Sequence, residues 1–101
     1  MIFVIANIQI AEGKQAAFVE EFKKIVPDVL AEDGCIEYGP TTDATTDLDK
    51  QQTDASIVTI VEKWESLDAL KAHLVAPHMN AYRERVKDLV VGSQLRILEP
   101  A

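Results

Sequence analysis

The side chains best suited to chemistry are concentrated between residues 61 and 82, which contain the only Trp, both His and one of the two Tyr. His73 and His78 lie on either side of Pro77. Imidazole is the one side chain whose ordinary pKa lies near 7, so the pair predicts general acid–base chemistry. The structural alternative is that His73, which stands next to leucines, is a hydrogen-bonded and half-buried residue.

Two imidazoles could also bind a metal ion. No third ligand follows at a helical spacing that would complete the site, so we expect no metal ligands. The single cysteine, Cys35, excludes an internal disulfide and a cysteine-type zinc site. The four glycines never take a GxGxxG or P-loop spacing, and GxSxG does not occur. Motifs for nucleotides, flavins and serine nucleophiles are therefore missing.

Three further groups could contribute polar atoms to a pocket. Asn7 interrupts an apolar strand, and a buried amide must be hydrogen-bonded, so it either pairs locally or points into a polar pocket. Trp64 ends a strand, and its indole N–H needs a partner if it is buried. Tyr38 and Tyr82 are interpreted as packing residues with a polar tip.

The sequence predicts four strands and three helices that position these residues. The strands are rich in β-branched side chains and span 2–10, 35–39, 55–64 and 94–98. The first helix, over 14–32, carries an apolar stripe at spacings of three and four, with Pro27 inside it and Gly34 as its C-cap. Ser66 caps the second helix, Pro77 starts the third and Gly92 ends it. Residues 41–54 form a polar loop.

The order of these elements is strand–helix–strand, then strand–helix–helix–strand. It matches the ferredoxin-like split βαβ arrangement, an α+β fold with an antiparallel four-stranded sheet and helices on one face. We expect one domain over 1–101, because a chain of this length buries about 65% of its surface on folding, enough for one core. The first and third strands are apolar on both faces, which predicts a homodimer packed sheet to sheet.

Charge and composition exclude several classes of partner. Ten Lys and Arg against seventeen Asp and Glu give a net charge of −7, without a cationic cluster. Nucleic acids and anionic membranes are bound through such clusters, so neither is an expected partner. The apolar start lacks a basic region and is too short to span a bilayer, so we expect a cytoplasmic protein.

Three segments resemble the antibiotic biosynthesis monooxygenase superfamily, and within it the small bacterial quinol monooxygenases. They are KIVPDVLAEDGCIEYGP, IVTIVEKWESLDALKAHLVAPHMNAY and LRILEP. The first, with its Gly34-Cys35…Tyr38 step, is loosely specific. More specific, when taken together, are Trp64-Glu65-Ser66 and His73…Pro77-His78-Met79.

The resemblance implies a dimeric α/β barrel-like assembly that oxidises a dihydroxy-aromatic compound with dioxygen, without metal, flavin or haem. His73 would be the leading catalytic base and His78 a second catalytic donor. The residues expected to bind the substrate are Asn7, Tyr38, Trp64, Met79 and Tyr82. Phenols of this kind ionise near pH 10, so forming the anion at pH 7 costs about 4 kcal/mol, which the base and donors must supply.

Other activities of the superfamily remain as alternatives. Haem degradation would use the Asn7 position, but His73 stands where that branch has Trp and Arg83 where it has a His ligand, so we do not expect it. A branch that isomerises a phosphorylated signalling sugar shares the histidine pattern and would need Arg83 and Arg85 at the pocket. A non-catalytic quinone-binding module is the third possibility.

Overall fold

The computed structural model describes all 101 residues and contains four strands and three helices. In chain order they are β1 (Ile2–Ile10), α1 (Gln15–Leu30), β2 (Cys35–Thr41), β3 (Ile57–Trp64), α2 (Leu67–Leu74), α3 (Pro77–Val86) and β4 (Val90–Leu98). The strands are antiparallel and follow the order β2-β3-β1-β4 across the sheet. The predicted ferredoxin-like α+β fold is confirmed.

Alternation along the strands decides which face of the sheet the helices cover. In β1 and β3 the even-numbered residues are buried, except for the half-buried Ile8, and Val4 and Val58 are fully excluded from solvent. The apolar stripe of α1 packs against this face through Phe18, Phe22, Ile25 and Val29, as the spacing predicts. The core therefore lies between one face of the sheet and the helices.

The signals that were predicted to begin α2 and α3 are confirmed. Ser66 is the N-cap of α2, and its Oγ accepts a hydrogen bond from the backbone N–H of Ala69 at 3.1 Å. Pro77 is the first residue of α3, where its missing N–H has no helical partner to lose. The two helices are thus separated by a sharp break that lies between the two histidines.

Gly34 is not the C-cap of α1, contrary to the sequence prediction. The helix ends at Leu30 with Ala31 as its cap, and Gly34 lies in the following turn with φ +83°. A Cβ on Gly34 would lie 2.6 Å from Cβ of Ala69 in α2, so both its conformation and its close approach require glycine. The turn after α1 is thereby docked against α2.

Gly92 does not end α3 either. The helix ends at Val86 and β4 already begins at Val90, four residues earlier than predicted. Gly92 lies within β4 opposite Gln9, where a Cβ would come within 2.7 Å of the Gln9 side chain. A shift of register at Gln9/Ile10 accompanies this contact, which explains a glycine inside a strand.

The other face of the sheet is apolar over only part of its area. Phe3 and Ile5 point to this side, whereas Asn7 and Thr59 form a polar region on it. The prediction that β1 and β3 are apolar on both faces therefore holds only for the first half of β1. The connection between β2 and β3, residues 42–56, contains no helix or strand. None of the three helices has the length and apolar character of a membrane-spanning segment.

Candidate active site

Two histidines from different helices contact the same carboxylate oxygen of a glutamate in a third segment. Oε2 of Glu32, in the turn after α1, lies 2.9 Å from Nδ1 of His73 and 2.7 Å from Nε2 of His78. His73 is in the last turn of α2 and is only 2% exposed, while His78 is at the start of α3 and is half-buried. The break at Pro77 turns both rings toward the docked turn that carries Glu32.

The carboxylate fixes the proton on His73. A carboxylate accepts hydrogen bonds, so Nδ1 of His73 is the protonated nitrogen and Nε2 keeps its lone pair in the neutral ring. Burial lowers the pKa of His73, while the hydrogen bond that His73 donates to Glu32 opposes that effect. His73 is therefore a neutral base whose protonated form has a charged partner already in place.

A cavity of about 230 Å³ lies between the helix-facing side of the sheet and the helices. Its walls are mostly apolar. Those contributed by the helices and β2 are Phe22, Tyr38, His73, Leu74, Met79, Tyr82 and Arg83. Those contributed by β1, β3 and β4 are Ala6, Ile8, Ile60, Glu62, Ser93, Gln94 and Leu95.

Four of the seven predicted site residues line this cavity. They are His73, Tyr38, Met79 and Tyr82. Tyr38 stacks on Phe22 with ring centroids 5.3 Å apart and meets the His73 ring edge-on at the same distance. Burial raises the pKa of both tyrosines, which therefore stay protonated and can donate hydrogen bonds at neutral pH.

His78 and Trp64 lie behind the cavity wall. His78 contacts Glu32 and is not part of the lining. Trp64 is fully buried, with its ring centroid 4.7 Å from that of His73, and its Nε1–H donates to Oε1 of Glu62 at 2.9 Å. Both residues support the groups that face the cavity.

Asn7 lies on the opposite face of the sheet. Its Oδ1 accepts a hydrogen bond from Oγ1 of Thr59 at 2.8 Å, which is the local pairing that the sequence left open. A strand that alternates faces cannot present both Asn7 and the cavity-lining Ala6 to the same side. The structure therefore does not bring Asn7 together with the other site residues.

Two carboxylates of the site were not found from the sequence. Glu62 is 6% exposed and lines the cavity, and burial together with the nearby Glu32 raises its pKa to about 7. The alternation Val58, Ile60, Glu62, Trp64 could have revealed a carboxyl on the buried face of β3. Glu32 gave no signal, because its contacts with the histidines span 41 and 46 residues of sequence.

Glu32 is also the third possible metal ligand beside the two histidines, which the sequence analysis did not find. The three possible ligand atoms lie within 4.8 Å of one another, so the cluster could hold a metal ion. The contacts of 2.7 and 2.9 Å are equally those of charge-assisted hydrogen bonds, in which the three groups satisfy one another.

The cations expected for a phosphate site are not both at the cavity. Arg83 reaches its rim, but its guanidinium donates to Oδ1 of Asn80 and to the carbonyl of Leu74. Arg85 pairs with Glu21 on α1 and does not line the cavity. A single guanidinium that already donates two hydrogen bonds within the protein is a weak binding site for a phosphate ester, which normally needs several donors.

Fold and site together define a small ferredoxin-like domain with a histidine–carboxylate cluster at an apolar pocket. The chain belongs to the antibiotic biosynthesis monooxygenase family, which matches residues 1–85. It is 41% identical to the "Probable quinol monooxygenase YgiN" of Escherichia coli K12, over 99% of this chain and 98% of that protein.

Solved structures give the same fold. PA3566 from Pseudomonas aeruginosa superimposes with a TM-score of 0.81 at 23% identity, over 99% of this chain and 93% of that one. Rv0793 from Mycobacterium tuberculosis gives a TM-score of 0.79 at 25% identity, over 99% of this chain and 94% of that one.

Proposed function

We propose that the chain is a cofactor-independent monooxygenase that oxidises quinols or related dihydroxy-aromatic compounds with dioxygen. The observation that carries this proposal is His73, held by Glu32 as a neutral base at the edge of a largely apolar cavity. The kinship to a quinol monooxygenase of nearly the same length supports it.

The cavity suits a neutral aromatic substrate. Its volume of about 230 Å³ is sufficient for one or two fused rings, and Tyr38, Met79 and Tyr82 supply apolar and aromatic contacts. The net charge of −7 does not attract an anion but leaves the binding of an uncharged quinol unaffected. Trp64 contributes by supporting His73, and Asn7 is not retained as a substrate contact.

Dioxygen accepts electrons one at a time, so the quinol must first become a good one-electron donor. Nε2 of His73 removes a proton from a substrate hydroxyl, and the Glu32 carboxylate stabilises the imidazolium that forms. The anion transfers one electron to dioxygen, and the radical pair combines at a ring carbon. Cleavage of the O–O bond then leaves one oxygen on the ring and releases the other as water.

The balance closes without an external reductant. For 1,4-naphthoquinol the reaction consumes one dioxygen and gives one hydroxynaphthoquinone and one water. The two electrons needed beyond oxygen insertion come from the quinol itself as it becomes a quinone. Apolar walls keep bulk water from the radical pair while it exists.

We further propose that two copies pack through the outer sheet face, in a cytoplasmic homodimer. Phe3, Ile5 and the partly exposed Val61 form an apolar area there. A second copy of the same chain can bury this surface, because a two-fold interface pairs the same patch on both subunits.

The test is oxygen uptake by the chelator-treated, colourless protein supplied with reduced naphthoquinol. We expect uptake above autoxidation and a large decrease in His73→Ala, with the exposed Lys71→Ala as the matched control on α2. Oxygen uptake no faster than autoxidation would contradict the proposal. Tight quinone binding without uptake would favour a binding module instead, and isomerisation of a phosphorylated sugar would favour the isomerase.

A further inference from the structure

We propose that Glu62 is a second proton-accepting residue of the active site, acting on the substrate from the sheet while His73 acts from α2. The assignment rests on the proposed quinol oxidation and extends it. A quinol carries two hydroxyl groups, and both must lose their protons as the ring becomes a quinone. One base with one available nitrogen can hold only one of these protons until the O–O bond breaks, so a second acceptor is needed before that step.

The position of Glu62 suits this role. It lies on the helix-facing side of β3, opposite Val4 on β1 and Tyr38 on β2, and its side chain lines the cavity with His73. Residues opposite one another in antiparallel strands share a face, so the Tyr38 ring and the Glu62 carboxyl stand side by side. Glu62 is the one carboxylate in the cavity lining.

One carboxyl oxygen of Glu62 accepts a hydrogen bond from the protein, and the other accepts none. Oε1 accepts the Trp64 indole N–H at 2.9 Å, which orients the carboxyl group. No hydrogen bond is made to Oε2, and no fully buried side-chain oxygen in the structure lacks a partner. Oε2 is therefore not fully buried, and the cavity that Glu62 lines is the space in which a substrate hydroxyl can contact it.

A purely structural role does not explain a carboxyl group here. Holding the Trp64 N–H requires one acceptor, which an uncharged amide would also supply without the cost of burying a charge. Burial and Glu32 raise the pKa of Glu62 to about 7, so near neutral pH it both takes and returns a proton. The other titratable groups that face it are Glu32 in the turn after α1, Cys35 and Tyr38 on β2, and His73, Tyr82 and Arg83 on the helices.

The proton balance of the step is simple. The O–H bond of the substrate breaks, its electron pair stays on the substrate oxygen, and the proton moves to Oε2 of Glu62. When the O–O bond later breaks, that proton goes to the oxygen that leaves as water, and the carboxylate is regenerated. Dioxygen, the oxidant of the proposed function, takes the electrons.

Glu62→Gln tests this role, because glutamine keeps the size and the acceptor for Trp64 but cannot take a proton. For the wild-type protein we expect kcat/KM of oxygen uptake to rise with pH through an inflection near 7. In Glu62→Gln we expect kcat to fall by about 100-fold or more and the inflection to disappear, with quinone affinity unchanged. Glu84→Gln, on the exposed side of α3, is the matched control.

The outcomes separate this role from the proposed function. A wild-type protein without uptake above autoxidation overturns both. An active wild-type protein whose Glu62→Gln variant keeps its rate and its inflection overturns the role of Glu62 alone. Thermal unfolding checks that the variant is folded, and Glu62→Asp, which keeps the carboxyl group, must recover part of the rate and an inflection in the pH profile.

Discussion

Oε2 of Glu32 accepts a hydrogen bond from Nδ1 of His73 across 2.9 Å, joining the turn after α1 to the end of α2. The contact decides which nitrogen of His73 is the base, because it leaves the lone pair on Nε2. Gly34 makes it possible, since any larger residue would separate the turn from Ala69 on α2. A glycine in the turn just before β2 thereby determines the protonation geometry of the pocket.

Glu32→Gln removes the charge from this contact while keeping its size. We expect kcat to fall between about 10- and 100-fold with little change in KM, since charge-assisted hydrogen bonds contribute about 1.5–3 kcal/mol. Steady-state oxygen uptake measures both constants. Asp33→Asn, one residue further along the same turn and exposed, should retain the wild-type rate. Equal rates for both variants would contradict the role of Glu32.

Glu62 makes the stability of the fold depend on pH in a predictable direction. Its pKa is raised from 4.5 to about 7, so the folded chain holds this proton more tightly than the unfolded chain does. The resulting stability is complete below pH 4.5 and is lost as the pH rises through 7. Glu62→Gln, which imitates the protonated form, should therefore be about 3 kcal/mol more stable than wild type at pH 8.

Urea unfolding at pH 8 and pH 5 measures this effect. The difference between Glu62→Gln and wild type should be largest at pH 8 and small at pH 5. If Glu62→Gln is less stable than wild type at both pH values, the charged form of Glu62 is not destabilised by burial, and the prediction is wrong.

Chelators should leave the activity unchanged. Glu32, His73 and His78 already satisfy one another through hydrogen bonds, so the proposed chemistry needs no ion among them. Oxygen uptake before and after dialysis against a chelator, with metal content determined by mass spectrometry, checks this. Activity that is lost on dialysis and restored by one divalent ion would make the cluster a metal centre.

The outer face of the sheet should hold the dimer together. Val61 is 38% exposed on that face, and Val61→Asp places a charge in the proposed interface. Light scattering should give a dimer for the wild-type chain and a monomer for the variant. Leu48→Asp, an equivalent change in the exposed loop, should remain dimeric. A wild-type monomer at micromolar concentration would contradict this interface.

The fold was predictable because its signals are local. Alternation in β1, the apolar stripe of α1, the Ser66 cap and the break at Pro77 are each visible within a few residues. Glycines were harder, because Gly34 and Gly92 are required by contacts with distant side chains rather than by helix ends. A glycine near the end of a helix is ambiguous until its neighbours in space are known.

The site was predictable only in part. Histidines and aromatic residues could be named from their types, and the strand alternation contained Glu62. Glu32 could not be found, since nothing in its own segment distinguishes it from an exposed acid after a helix. Asn7 was misplaced because the first half of β1 is apolar on both faces, so the sequence did not show which side of the sheet holds the pocket.

The most direct measurement is the mass of the product formed from 1,4-naphthoquinol under ¹⁸O₂ by the metal-free wild-type protein. We expect a hydroxynaphthoquinone that carries one ¹⁸O atom from dioxygen and that His73→Ala forms far more slowly. An unlabelled quinone formed with an equal amount of hydrogen peroxide, or no product beyond autoxidation, would contradict this expectation.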